Sequence, residues 1–437
     1  MIQLLEQTQS LNFPAQLSDT LLVIEQQFET TKVMDVPLAT HQALENSGLL
    51  QQMKAGASVA IGVGSRGIVD LPVIVRTAVE QLKAEGLQPF IVPAMGSHGG
   101  ATAEGQTAIL AQLGITAETV RAEVRATMEV KEVGRIPGGP PLYQDIHSLA
   151  ADHTLLINRV KPHTSFRSHI ESGLAKMAVI GLGKQRGADE MHSMGVEGLQ
   201  RYIAPAARLY EILTNLVGGL AIVENAYHQT AAITGLTASE IGADRESGLL
   251  RRAKSLMASL PFPEIDVLVV RQMGKNISGT GMDTNVIGRL RIPRQSDNFG
   301  GPDIAVITVL DLTEATHGNC TGLGLAEVTT ARVLEQIDWG AYYTNALTSG
   351  ILNISRANLP LVMPSDQKAI QAAIRGCGQP QAKARVVYIQ DTLTLDRLWV
   401  SPSLRPLVEA NPRLTLIEEV PLSFDANGMM ASPWEMV

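Results

Sequence analysis

The chain is poor in several things, and each scarcity narrows what it can be. It has two cysteines, Cys320 and Cys377, far apart and in no CxxC pair. That excludes a cysteine-ligated iron–sulfur cluster or cysteine zinc finger built within this chain, and it fits a reducing compartment. Aromatic residues make up only 4%, so the cores must rest on Leu, Ile, Val, Ala and Met within a hydrophobic share of 45%. Basic runs are missing and the formal charge is −8, which argues against nucleic acid as a partner. No uninterrupted apolar run is long enough to span a bilayer. The first residues, Met1-Ile2-Gln3-Leu4-Leu5-Glu6-Gln7, show no basic region followed by an apolar core, so no secretory signal is expected. These absences describe a soluble cytoplasmic protein, free of membrane and nucleic acid, whose partner is a small molecule.

At 437 residues two domains are expected. Apolar strand-like runs alternate with helical patterns, which predicts an α/β fold: two domains with mainly parallel sheets flanked by helices. Ser58–Val63 reads as a buried strand, followed by a helix that Asp70 can cap, with Pro72 in its first turn. Val75, Ala78, Val79 and Leu82 share one face of it, and Gly86 supplies the stop. Residues 89–92 form the next strand, and a helix runs over about 102–113. Further strands are expected over 154–160, 218–223, 266–270, 304–310, 385–390 and 414–419, with a turn-rich connection over 134–141. Prolines in Leu260-Pro261-Phe262-Pro263-Glu264 interrupt a helical stretch over about 239–260 and suggest a boundary and hinge. The expected division is residues 1–262, an N-terminal catalytic and cofactor-binding domain, and residues 263–437, a C-terminal domain closing the cleft that holds the active site.

Chemistry concentrates at the ends of three predicted strands. Arg66 lies in Gly62-Val63-Gly64-Ser65-Arg66-Gly67, His98 in Met95-Gly96-Ser97-His98-Gly99-Gly100, and His163 follows Lys161-Pro162. Ligands of open α/β sheets bind at that edge. A guanidinium can grip a carboxylate with two parallel bonds. Two histidines on opposite faces of one carbon can each remove or return a proton, as a racemase or epimerase requires. Lys176 sits in Gly173-Leu174-Ala175-Lys176-Met177-Ala178-Val179, apolar company that would lower its pKa and make its amine a nucleophile. A snorkelling lysine fits the same pattern. His192 lacks the paired spacing of HExxH, which argues against a zinc protease. His169 looks solvent-exposed. Residues 274–283 are glycine-rich without matching GxxxxGK[ST] or GxGxxG, and suit a phosphate-cradling loop or a mobile lid. Arg289 and Arg291 follow, and His317 is a weaker candidate for the same cleft.

Taken in order, these residues resemble the nickel-dependent lactate racemase family. The family's Asp-x-Thr-Arg-Pro loop is matched by Val63-Gly64-Ser65-Arg66-Gly67, and its Gly-Thr-His-Arg loop by Gly96-Ser97-His98-Gly99. A Pro-His pair, a Gly-Gly-Arg-Lys element and a later histidine are matched by Pro162-His163, Gly173-Leu174-Ala175-Lys176 and His192. The resemblance implies a nickel-pincer nucleotide, a pyridinium-3-thioamide-5-thiocarboxylic acid mononucleotide carrying Ni, tethered to Lys176 with His192 as the protein's nickel ligand. It assigns Ser65 to the cofactor, His98 and His163 to acid/base work, and Arg66 and Arg291 to the substrate. The implied activity is an isomerase: racemisation or epimerisation of a 2-hydroxy acid by transient hydride transfer from the α-carbon. Transient contact with cofactor-biosynthesis proteins follows from such a cofactor.

The chain departs from that pattern at the substrate positions. The first loop lacks the aspartate and proline, Gly99 stands where the family has arginine, and Gly288 and Arg291 stand where it has Gln and Lys. A substrate other than lactate is therefore expected. Two alternatives stay open: a non-catalytic binder or carrier of the cofactor or of a small acid, and a nicotinamide-dependent oxidoreductase. The second is disfavoured because no GxGxxG follows the first strand.

Overall fold

A computed structural model describes residues 15–65 and 67–431; Arg66 lies outside the described residues. The strands are β1 (Thr20–Gln26), β2 (Ser58–Val63), β3 (Gln88–Pro93), β4 (Val130–Arg135), β5 (Pro141–Asp145), β6 (His153–Arg159), β7 (Leu216–Glu224) and β8 (Thr230–Thr237), then β9 (Glu264–Met273), β10 (Asp303–Leu312), β11 (Val328–Thr330), β12 (Leu361–Met363), β13 (Val386–Ile389), β14 (Arg397–Val400) and β15 (Leu414–Pro421). The longer helices are α1 (Val36–Asn46), α2 (Leu71–Ala84), α3 (Ala103–Gln112), α4 (Lys184–Ser193), α5 (Gly195–Leu213), α6 (Asp244–Leu256), α7 (Trp339–Thr348) and α8 (Asp366–Gly376). The α/β class expected from the alternating pattern is what the chain forms. Among the described residues no helix is long and apolar enough to cross a membrane.

The chain divides into two units: Glu29–Met257, and a second made by the described part of Met1–Phe28 together with Ala258–Val437. The division near residue 258 lies close to the proline-marked boundary, but the first strand does not stay with the residues that follow it. β1 pairs antiparallel with β14 and β15, which corrects the continuous 1–262 domain. Leu21, Leu22, Val23 and Ile24 are all buried, as suits a strand inside a sheet. A local apolar run shows that a strand exists, but not which distant strand it will pair with.

In the Glu29–Met257 unit five strands run in the order β3-β2-β6-β7-β8. The first four are mutually parallel and only β8 runs against them. Val59, Ile61, Leu155, Ile157, Leu220 and Ile222 from the sheet pack with Ile74, Val75, Ala78 and Leu82 of α2 in one core. Each Val, Ile or Leu among them stabilises the fold by about 1.5–3 kcal/mol relative to exposure. Pro72 lies in the first turn of α2 as expected, but Asp70 makes no side-chain cap there. Its carboxylate instead accepts from Thr230 Oγ1 at 2.6 Å. The turn-rich stretch over 134–141 proves to be the tip of a hairpin, since β4 and β5 pair around it.

The second unit carries eight strands in the order β12-β11-β10-β9-β13-β14-β1-β15. The pairs from β12 to β13 are parallel and those from β13 to β15 antiparallel. Its two cysteines are buried free thiols, and burial pushes Cys320 up to about 12, so that thiol is no nucleophile at neutral pH.

Candidate active site

Because β3, β2 and β6 are parallel neighbours, their carboxyl ends open on one edge. Each end delivers a polar residue: β2 leads to Ser65, β3 to His98 and β6 to His163. The roots of the two histidine loops stand two strand spacings apart, about 10 Å, with the Ser65 loop between them. The expectation of a shared edge for these three loops therefore agrees with the sheet order.

Ser65 Oγ makes a short hydrogen bond to His98 Nδ1. A hydroxyl can donate or accept, so this contact suits either tautomer of His98. The His98 ring is exposed, and with Ser65, Gly99, Ile109, Gln112 and Leu113 it lines an open pocket of about 360 Å³. Gly99 has φ of +69°, and a Cβ there would meet the Gly105 carbonyl carbon at 2.5 Å. The loop passes so close to the start of α3 that no side chain fits, which gives a physical reason for glycine after His98.

His163 belongs to a loop closed by paired backbone bonds between Lys161 and Ser172, at 3.0 and 3.2 Å. Glu171, 1% exposed, organises that loop from beneath. It accepts from the His163 amide at 2.7 Å, the Ser168 amide at 3.3 Å and Lys254 Nζ of α6 at 2.6 Å. The imidazole packs on Phe166, with ring centroids 4.4 Å apart. Nδ1 accepts from the Ser165 amide at 3.0 Å. A backbone amide only donates, so the neutral ring carries its proton on Nε2. That Nε2 lies 2.6 Å from Lys176 Nζ. The His163 ring and the Lys176 nitrogen are thus in direct contact.

Lys176 ends a short helical turn, Leu174–Lys176, followed by a π-helical turn over Met177–Gly181. Wide turns of this kind often accompany functional sites. Glu246, 1% exposed, accepts from the Ala175 amide at 3.1 Å and the Gly242 amide at 2.7 Å, so it caps the turn that presents the lysine. Asn158 of β6 donates to the Gly173 carbonyl at 3.1 Å, fastening that turn to the strand edge. His192 lies in the last turn of α4. Burial first, and then the charge of Lys176, lowers its pKa to about 4. At neutral pH it is an unprotonated imidazole with a free lone pair, within electrostatic reach of Lys176.

Ser65, His98, His163, Lys176 and His192 thus all belong to the Glu29–Met257 unit. Arg291 belongs to the other unit, where its guanidinium pairs with Glu327. Arg289 binds the same carboxylate at 2.6 Å. In the glycine-rich stretch, Lys275 Nζ donates to the Gly279 and Thr321 carbonyls, both at 2.9 Å. His317 is exposed at the end of a 3-10 turn, and His169 is exposed as well.

The residues that hold this site were not apparent from the sequence. Besides Glu171 and Glu246, Lys184 is wholly buried beside Asp145 at 3.3 Å, and Gln106 is 0% exposed. A signal for Lys184 was present: it follows the apolar run Val179-Ile180-Gly181-Leu182-Gly183, the same pattern that singles out Lys176. The carboxylates gave none, because nothing local distinguishes a buried glutamate from a surface one.

No family model matches the chain, and no curated protein does. Among solved structures it is similar to a protein from Thermotoga maritima, at 16% identity and a TM-score of 0.47 over 64% of this chain and 72% of that one. It is also similar to the lactate racemase apoprotein from Thermoanaerobacterium thermosaccharolyticum, at 13% identity and a TM-score of 0.46 over 83% of this chain and 93% of that one. Both likenesses are weak, so the roles given below rest on this chain's own residues.

Proposed function

We propose that the protein is a racemase or epimerase of a 2-hydroxy acid that works with a nickel-pincer nucleotide. The observation that carries this reading is the gathering of two histidine loops and an amine-presenting turn at one sheet edge. His98 is held by Ser65, and His163 is in contact with Lys176.

The donor set fits the cofactor on two counts. Lys176 presents its nitrogen beside His163, and a lysine amine can join a thiocarboxylate through an amide-type bond. His192 is neutral at pH 7, the form that ligates a metal. Among the described residues no cluster of three or more His, Cys, Asp or Glu could hold a metal by itself. A metal here would have to bring most of its own ligands, which a chelated nucleotide does.

When bound, the cofactor supplies a reversible hydride acceptor for the α-carbon of the substrate. The protein's part is proton handling and orientation. His98 and His163, on loops flanking β2, remove and return the hydroxyl proton from the two sides. Arg66, next to Ser65, is assigned to the substrate carboxylate. Loading of Lys176 would involve transient contact with the proteins that make the cofactor.

The test uses protein from cells equipped to make the cofactor, with chiral chromatography over a 2-hydroxyacid panel. His98→Ala and His163→Ala should each lower inversion by 100-fold or more while nickel content stays at the wild-type level. Full activity in either variant would refute the two-histidine assignment. Nickel binding with no inversion across the panel would favour a carrier.

A further inference from the structure

We propose that Gln106, oriented by the buried Lys184, is the positioning residue of the His98 loop. The inference concerns how this loop is held and does not depend on which acid or cofactor the site takes.

Gln106 lies in α3, 0% exposed, and its side chain faces two ways. Its Nε2 donates to the Gly96 carbonyl at 2.8 Å and to the His98 carbonyl at 3.2 Å. Its Oε1 accepts from Lys184 Nζ at 3.0 Å. An ammonium can only donate, so the oxygen of the amide must face Lys184 and its NH₂ must face the loop. The lysine thereby fixes which way the glutamine reads. Lys184 is itself over-determined: it also donates to the carbonyl of Pro93, the last residue of β3, and faces Asp145 at 3.3 Å.

The geometry therefore ties the end of the strand, the loop and the following helix to one buried cation. The two carbonyls bound by Gln106 bracket Ser97, so the backbone is held on both sides of the residue preceding the histidine ring. The ring is exposed while its root is anchored. An exposed imidazole that must meet Ser65 and a substrate in one orientation needs such an anchor, since otherwise ordering the loop would weaken each encounter. The close approach of Gly99 to Gly105 adds a steric limit on the same loop.

Gln106→Glu separates this role from general packing. Glutamate keeps the volume and an acceptor for Lys184, but sets a carboxylate oxygen against the Gly96 and His98 carbonyls. The protein is labelled with ¹³C at histidine Cε1, and amide hydrogen exchange is followed in parallel. Leu44→Ala, a truncation in the core packed on α1, shows how far a plain loss of stability moves the same signals. In Gln106→Glu the His98 resonance should shift or split, and the His98 and Ala101 amides should exchange at least about tenfold faster. His163 should stay in place, and Leu44→Ala should leave His98 unmoved. If Gln106→Glu does not fold, the triple variant Gln106→Met, Lys184→Met and Asp145→Asn removes the polar chain without leaving the Asp145 carboxylate buried and unpaired, and it is read in the same way. An unmoved His98 in either folded variant overturns the proposal, as does an equal shift in Leu44→Ala.

Discussion

Replacing Lys184 with methionine tests how much the buried polar chain beneath the His98 loop contributes. Both Lys184 and Asp145 are 0% exposed in their side chains. Asp145 Oδ1 accepts from the Ser148 amide at 2.9 Å, whereas Oδ2 has no hydrogen-bond donor elsewhere among the described residues and faces Lys184. Methionine keeps the length of the stem and removes the charge, so the carboxylate is left buried and uncompensated. Breaking a buried pair in this way costs about 3–5 kcal/mol. Burial already pushes Asp145 above the usual carboxylate range, and without the lysine it should take up a proton more readily still. The double variant Lys184→Met with Asp145→Asn keeps the acceptor for Ser148 and carries no charge, so it should recover a large part of the loss. Thermal unfolding of the wild type, both single variants and the double variant completes the cycle. For a unit of this size, 3–5 kcal/mol corresponds to a drop of roughly 6–20 °C in Tm. A Lys184→Met protein within about 0.5 kcal/mol of wild type, or a double variant worse than both singles, would refute the reasoning.

Glu171→Ala should lower stability by about 1–3 kcal/mol, because the His163 amide, the Ser168 amide and Lys254 all lose one buried acceptor; urea unfolding measures it. Gly99→Ala should be destabilising by about 1 kcal/mol or more, since φ is +69° and a Cβ would press on Gly105, and a Tm at or above wild type would contradict that geometry. The His192 imidazole should titrate near 4 in a ¹³C-histidine spectrum. Its folded pKa lies below the unfolded value, so between about pH 6.5 and 4 the unfolded chain binds the extra proton and stability falls as pH drops. His192→Gln should therefore lose less stability than wild type across that window, as followed by Tm against pH.

What the sequence showed depended on how local the determining physics was. β2, β3 and β6 were readable because each is built on a short apolar run, Val59–Val63, Phe90–Val92 and Leu155–Ile157, and the alternation of strands with helices pointed to parallel pairing. Ser65, His98 and His163 were legible as strand-end residues for the same reason. The place of β1 in the second sheet was not readable, because its pairing with β14 and β15 is settled nearly 400 residues away. The Asp70 cap failed because Thr230, distant in sequence, bids for the same carboxylate. Gln106 was not readable because its meaning lies in a contact with Lys184 across 78 residues, whereas Lys184 at least follows an apolar run. Buried polar anchors are the part of a site that sequence pattern encodes least.

The most direct test of the central claim is the intact mass of the protein purified from cells equipped to make the nickel-pincer nucleotide, beside Lys176→Ala from the same cells. The account predicts a nucleotide-sized adduct on the wild type and none on the variant. An unmodified wild type, or the same adduct on both proteins, would contradict the assignment of Lys176 as the tether.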